Sequence, residues 1–173
     1  ASRDVSTIVR SEIELAKTET GLAAADFDLS SDAQKEELLD YVRAEGIYDP
    51  VSGSRGRSWV LGDIIHSRPA ILQPDPAGNL NVIFVGAGDG FLHCFVDDDK
   101  GTRLDLTDDS LTESWAFLPW ELAPKLKLLP PANATTTITG DSVHDYFVDA
   151  SPVVYTAGSA QSYVAFGLRR GGR

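Results

Sequence analysis

The sequence predicts a mainly β fold: a partial β-propeller of about one and a half blades of antiparallel sheet, preceded by two short α-helices. Three observations predict it. The stretch Asn81 to Val96, NVIFVGAGDGFLHCFV, places two apolar, β-branched and aromatic runs around Gly88-Asp89-Gly90. Asp-Gly between such runs signals a tight hairpin, because both central residues of the favoured turn need positive φ. From Trp59 onward, strand-like runs follow one another through short turns. Finally, part of that pattern starts again about 82 residues later.

Taken in order, Val5, Ile8, Val9, Glu12, Leu15 and Ala16 fall at helical spacing, which predicts an amphipathic helix from about Val5 to Thr20. Gly21 to Leu29 breaks it. Ser31 followed by Gln34 is a capping-box pattern that opens a second helix, with Leu38, Leu39 and Val42 on one face and Gly46 ending it. Ile47 to Ser58, with Asp49-Pro50, Gly53 and Gly56, reads as a linker that carries Arg55 and Arg57. Residues 1–58 are thus expected to form a helical lead-in and linker, and 59–173 a partial propeller truncated at its C-terminus.

Arg68 to Gln73 is a short strand entered through Pro69, which suits a first strand position because proline cannot donate to the ladder. Pro74 to Asn79 is a turn before the two hairpin strands. Val82 to Val85 is apolar at every position and Phe91 to Val96 nearly so, as expected for strands covered on both faces. Asp97 to Ser110 reads as an exposed acidic loop, and Glu113 to Leu118 as a fourth strand with Trp115 and Phe117 on one side.

The second copy begins where Ala150-Ser151-Pro152-Val153-Val154-Tyr155 repeats Ser67-Arg68-Pro69-Ala70-Ile71-Leu72, and Ser162 to Gly167 repeats Val82 to Gly86. The interval exceeds the ~45 residues usual for a blade, so an insertion is needed. Trp120 to Asp145, with Pro124, Pro130, Pro131 and a Thr-rich run, supplies it as a polar loop.

Composition narrows the function. The 173 residues are 42% hydrophobic and 24% charged, a globular balance, and the net charge of −11 opposes binding to nucleic-acid phosphates. No apolar run approaches the roughly 20 residues of a membrane span, and no basic-then-apolar signal opens the chain. The start at Ala1-Ser2-Arg3 and the lack of methionine lead us to expect a chain trimmed or cut from a longer protein. Cys94 alone cannot form an internal disulfide and reads as a small apolar strand residue. His66, His93 and His144 show no zinc-type spacing; His93 reads as a packed or hydrogen-bonded blade residue and the others as structural. No nucleophile elbow, P-loop or Cys-x-x-Cys is present, so no catalytic residue is assigned.

Four ordered blocks, Leu61 to Pro69, Phe84 to His93, Trp115 to Pro119 and His144 to Pro152, resemble the β-propeller domain of the PilC/PilY family of type IV pilus tip proteins. Gly167 to Arg173 is similar to the segment closing that block, and Glu37 to Arg43 with Arg55 and Arg57 to the lead-in, so the resemblance covers roughly 37–173. Arg68 stands where a small residue is common, Cys94 where alanine is usual, and Ala150 where glycine is usual. The motif residues that the resemblance marks as structural are Gly62, Asp63, His66, Pro69, Gly86, Gly88, Asp89, Gly90, Trp115, Phe147, Asp149 and Pro152.

The resemblance implies a secreted, non-enzymatic protein of a Gram-negative-type bacterium, at the outer cell surface or pilus tip. It would support pilus assembly, surface attachment and twitching motility. Its implied partners are the remainder of the propeller chain, pilins or minor pilins, and a host or abiotic surface. The alternative is a fragment of a quinoprotein dehydrogenase binding pyrroloquinoline quinone, whose blades share a Gly-rich turn and a tryptophan like Trp115. The family's calcium loop would lie beyond Arg173. Within the chain, Asp97, Asp99, Asp105 and Asp108 fall at positions one, three, nine and twelve of an EF-hand-like count. Gly101 replaces the oxygen ligand expected at the fifth position and Thr102 the glycine expected at the sixth, so calcium is kept as a candidate cofactor with no ligand assigned.

Overall fold

A computed structural model describes residues 5–8, 12–15, 21–43, 61–102, 105, 107–130, 147–157 and 161–168. Two short strands, β1 (Val5–Ile8) and β2 (Glu12–Glu14), come first. A 3-10 segment, Ala24–Phe27, and one helix, α1 (Asp32–Val42), follow. Then come β3 (Ala70–Leu72), β4 (Leu80–Gly86), β5 (Leu92–Asp98), β6 (Ser110–Pro119) and a second 3-10 segment, Trp120–Leu128. The last strands are β7 (Val153–Ala157) and β8 (Gln161–Ala165). Among the described residues, no helix is long and apolar enough to cross a membrane.

β3 to β6 form an antiparallel meander, and β7 pairs with β8 in a separate two-stranded sheet. The mainly β, partial-propeller architecture is as the sequence predicts. The helix expected over Val5 to Thr20 is not: β1 runs parallel to β6, and β2 antiparallel to β1. Val5, Thr7, Ile8 and Ile13 are β-branched and stiff at χ1, which disfavours helix, and β6 offers an unpaired edge that a short extended segment can satisfy. Over so few residues a period of 3.6 and a period of 2 overlap, and tertiary pairing decides.

α1 begins where the sequence places it. Ser31 Oγ accepts from the Gln34 N–H at 3.3 Å, while Gln34 Oε1 accepts from the Ser30 N–H at 2.9 Å, one residue earlier than in the standard box. The helix buries Leu38, Leu39, Tyr41 and Val42. The Lys35 ammonium donates to the Leu22 carbonyl at 2.8 Å, which fixes the lead-in against the helix. Gly46, the Ile47 to Ser58 linker with Arg55 and Arg57, His144 and Gly171 to Arg173 lie outside the described residues.

The β4–β5 hairpin forms, but not through a two-residue Asp-Gly turn. Among residues 87–91 positive φ occurs at Gly90, +99°, and not at Asp89. The chain turns over Ala87 to Gly90, with the Gly90 N–H donating to the Ala87 carbonyl at 3.3 Å and the Ala87 N–H to the Phe91 carbonyl at 3.1 Å. The longer loop lets the Asp89 side chain turn inward. Burial on both faces holds at the turn end, where Phe84, Val85, Gly86, Leu92, His93 and Cys94 are buried; away from it both strands are half-buried.

A single hydrophobic cluster joins Leu15, Leu22, Phe27, Leu38 and Leu39 of the lead-in to Phe84, Phe91, Leu92 and Leu118 of the sheet. The insertion also contributes to it. Residues 120–128 are no polar loop, since Leu122, Ala123 and Leu126 are fully buried and join the core from this proline-containing 3-10 segment.

Phe84 is buried with its ring 5.9 Å from that of Trp115. Replacing it by Asp buries an unpaired charge, and Phe84→Asp is expected to cost about 4 kcal/mol or more, read as loss of the cooperative transition in thermal circular dichroism. A native-like transition would overturn the buried-hairpin assignment. Burial pushes the Cys94 thiol up to about 11 from its ordinary 9.0. Because the folded state holds this proton more tightly, stability falls as pH rises from 9 towards 11. Urea unfolding across that window is expected to fall less steeply for Cys94→Ala than for the native chain.

Candidate functional site: two aspartate latches

The residues marked by sequence converge on a strap, Leu61 to Pro69, that runs between the hairpin turn and the entry to β7. At its first end the Asp89 carboxylate, itself buried, accepts from the Gly62 N–H at 2.9 Å through Oδ2 and from the Phe91 N–H at 3.2 Å through Oδ1. The Gly88 N–H donates to the Asp63 carbonyl at 2.8 Å. Gly62 must be glycine, because a Cβ there would overlap the Asp89 backbone nitrogen. Gly90 supplies the positive φ that only glycine adopts freely.

Behind Asp89 lies a charged row. His93, wholly buried, places Nε2 3.0 Å from Asp89 Oδ1 and Nδ1 2.7 Å from Glu113 Oε1. Both ring nitrogens meet carboxylate oxygens, and only a doubly protonated ring donates to both. Glu113 reaches this position through a bulge. Cys94 pairs with Trp115 but Phe95 pairs with Glu113, so Ser114 is the extra residue, and the irregularity brings Glu113 onto the face of His93. The sequence marks His93 as a packed or hydrogen-bonded blade residue and gives no sign of Glu113; the signals for Asp89 are the Asp-Gly hairpin turn and the family resemblance.

At the second end Asp149, also buried, accepts from the His66 N–H at 3.1 Å through Oδ1 and lies 2.7 Å from His66 Nδ1 through Oδ2. The Arg68 N–H donates to Ser151 Oγ at 2.9 Å, and Ser67 Oγ lies 3.4 Å from the Ala150 carbonyl. Ser67 Oγ also accepts from the Gly86 N–H at 2.9 Å, which ties the strap to β4. Each of the three strap-to-β7 pairs joins residues 83 apart, the interval of the internal repeat. A Cβ on Gly86 would overlap the Val148 carbonyl oxygen, so this segment packs directly on the hairpin.

Phe147 lies beside Gly90 and beneath Lys125, whose Nζ is 6.0 Å from the ring centroid. Pro69 and the buried Pro152 open β3 and β7. Trp115 stands apart from the strap, across the sheet against Phe84. Ser67 and Ser151 lie in the repeated segments that the sequence shows, but neither is marked there as a motif residue.

Asp97, read from sequence as part of the acidic loop, lies in β5 and meets β4, while the loop beyond it is organised by its own turns. Asp97 accepts from Asn81 Nδ2 at 3.1 Å, Asp99 from the Gly101 N–H at 2.8 Å, Asp105 from the Thr107 N–H at 3.0 Å and Asp108 from Thr102 Oγ1 at 2.7 Å. Lys100 pairs with Asp98 and holds its carboxyl below the usual range, chiefly by hydrogen bonding. Desolvation, then repulsion from Asp108, Asp99, Asp97 and Asp105, raises that of Asp109. Among the described residues no three acidic, histidine or cysteine side chains converge into a metal-binding group.

Three curated relatives share this sequence pattern. The chain is 30% identical over 154 residues to the type IV pilus biogenesis factor PilY1 of Pseudomonas aeruginosa strain UCBPP-PA14, covering 76% of this chain. It is 30% identical over 168 residues to the PilY1 proteins of strains PAK and PAO1, covering 83% of it. The chain belongs to the PilC/PilY family. It spans 12–13% of the length of these relatives. No family model and no solved structure matches it. Three of the four blocks that carry the PilC/PilY resemblance, Leu61 to Pro69, Phe84 to His93 and His144 to Pro152, contain latch residues, whereas Trp115 to Pro119 lies apart from both latches.

Asp89→Ala leaves two backbone N–H groups and His93 without their acceptor in a dry site. It is expected to lower the unfolding free energy by about 3–5 kcal/mol in urea titrations. His66→Ala removes a pair whose ring is half-exposed, and about 1 kcal/mol is expected. Equal midpoints for native chain and Asp89→Ala would remove the first latch from the fold's supports.

Proposed function

We propose that this chain is a non-enzymatic scaffold segment of a type IV pilus biogenesis factor, acting at the outer cell surface in pilus assembly and tip adhesion. The observation behind this reading is the 30% identity to PilY1 over 76–83% of the chain. The architecture suits the role: buried polar latches hold a small sheet assembly in one geometry, and the exposed acidic loop between β5 and β6 is placed where loops on such scaffolds commonly bind. The rest of the propeller would flank the segment, pilins or minor pilins would be its assembly partners, and a host or abiotic surface would be met by the tip. Surface attachment and twitching motility follow from that placement. The relatives weigh against the quinoprotein dehydrogenase reading, and Trp115 is occupied by packing on Phe84 rather than by a ring of docking tryptophans.

In-frame removal of this segment in the bacterium that encodes it is expected to abolish pilin in sheared surface fractions and to eliminate twitching zones. Native levels of surface pilin and normal twitching would overturn the proposal. Incubation of the purified protein with pyrroloquinoline quinone, followed by desalting, is expected to leave no quinone absorbance; retained quinone would overturn the non-enzymatic part.

A further inference from the structure

His93 is wholly buried, yet each of its ring nitrogens faces a carboxylate: Nε2 meets Asp89 from the hairpin turn at 3.0 Å, and Nδ1 meets Glu113 from β6 at 2.7 Å. Around it, β4 sets Val85 and β6 sets Ala116 opposite His93, and the rings of Phe91 and Phe95 stand 6.1 and 6.0 Å from the imidazole. A neutral imidazole has one N–H and one bare lone pair. With a neutral ring between two carboxylates, one of the two contacts sets a lone pair against an oxygen; with a doubly protonated ring, both are charge-assisted hydrogen bonds. The charge of the whole row leads the same way. Protonated, the row carries −1 in total; without that proton it carries −2, so burying the three groups together favours keeping it.

The two carboxylates are not held alike. Asp89 also accepts from the Gly62 and Phe91 N–H groups, and its side chain is 9% exposed. The Glu113 side chain is 21% exposed and stands beside the Ser114 bulge, where the ladder between β5 and β6 is already interrupted. When the ring gives up one proton, Nε2–H therefore stays on Asp89, and Glu113 is the carboxylate that turns to water.

We propose that the proton on His93 Nδ1 is a pH-sensitive clasp that fastens the β6 bulge to β5: while it is bound it holds Glu113, and its loss as pH rises frees Glu113 and leaves the Asp89 latch on the strap closed. In the unfolded chain a free imidazole releases its proton at ~6.5. The folded row binds the proton more tightly, so the stability that the clasp adds is full below that pH and is lost as pH climbs through the folded value. Glu113 is near the start of β6, Ser110–Pro119, so the clasp lies at the foot of the acidic loop. The inference rests on this row of side chains rather than on the pilus reading.

The test compares the intact native chain with Glu113→Gln. The glutamine is nearly isosteric and its amide donates to Nδ1 of a neutral ring, so the cross-strand contact persists without the additional proton. Urea unfolding is followed from about pH 6 to about pH 8.5, which spans the histidine range and stays on the acid side of the Cys94 ionisation. Over that window the native unfolding constant is expected to rise about tenfold more than that of Glu113→Gln. The His66–Asp149 pair is common to both chains and drops out of the difference. Imidazole nitrogen NMR of the native chain is expected to show both His93 nitrogens protonated at about pH 6 and the Nδ1 proton alone lost as pH rises. Equal pH dependence in the two chains, a neutral His93 ring at about pH 6, or loss of the proton from Nε2 would overturn the proposal and leave the surface-pilin result untouched. The ring spectra of the native chain decide the matter by themselves if Glu113→Gln does not fold.

Discussion

A carboxylate buried beneath a hairpin turn is the constraint on which this structure depends. Taking Asp89 out of water costs several kcal/mol unless every lone pair is engaged. The fold meets that demand from three directions at once: the Gly62 N–H of the strap, the Phe91 N–H of the turn and the His93 ring of β5. Each partner is placed by a separate feature. Glycine at 62 permits the approach, Gly90 permits the turn, and strand alternation aims His93 inward. The result is cooperative, since losing any one partner leaves charge exposed to a low-dielectric interior.

The bulge at Ser114 extends the same logic. With His93 flanked by two carboxylates, Glu113 supplies the second polar partner of the buried ring, and it reaches that ring because one additional residue in β6 shifts the side-chain alternation. The Asp149 latch repeats the device at the next sheet. Entry segments of the two repeats, which share no ladder, are held side by side by hydrogen bonds between equivalent positions. A propeller arrangement requires such contacts, because first strands of adjacent blades approach one another without pairing.

What the latches leave outside is the acidic loop. Strap and hairpin are satisfied internally, whereas the acidic loop between β5 and β6 uses its carboxylates on its own amides and hydroxyls. Most of its described residues are exposed.

The sequence by itself determined the strands from β3 onward, the place of the β4–β5 turn and the repeat. Alternating and continuous apolar runs, Pro69 at a strand entry, the Ser31 cap and Asp-Gly between β4 and β5 are local signals, set by dihedral preference and side-chain period. The residues later found in the latches were legible through family resemblance, though not the bonds they make. Tertiary structure decided whether Val5 to Glu14 became helix or strand, because an open edge on β6 outweighed a weak helical period. It decided that the Asp-Gly turn lengthens so that Asp89 points inward, and that part of the insertion joins the core. It also decided that Glu113 meets His93. Each of these outcomes depends on partners distant in the chain, whose free energies no local window contains.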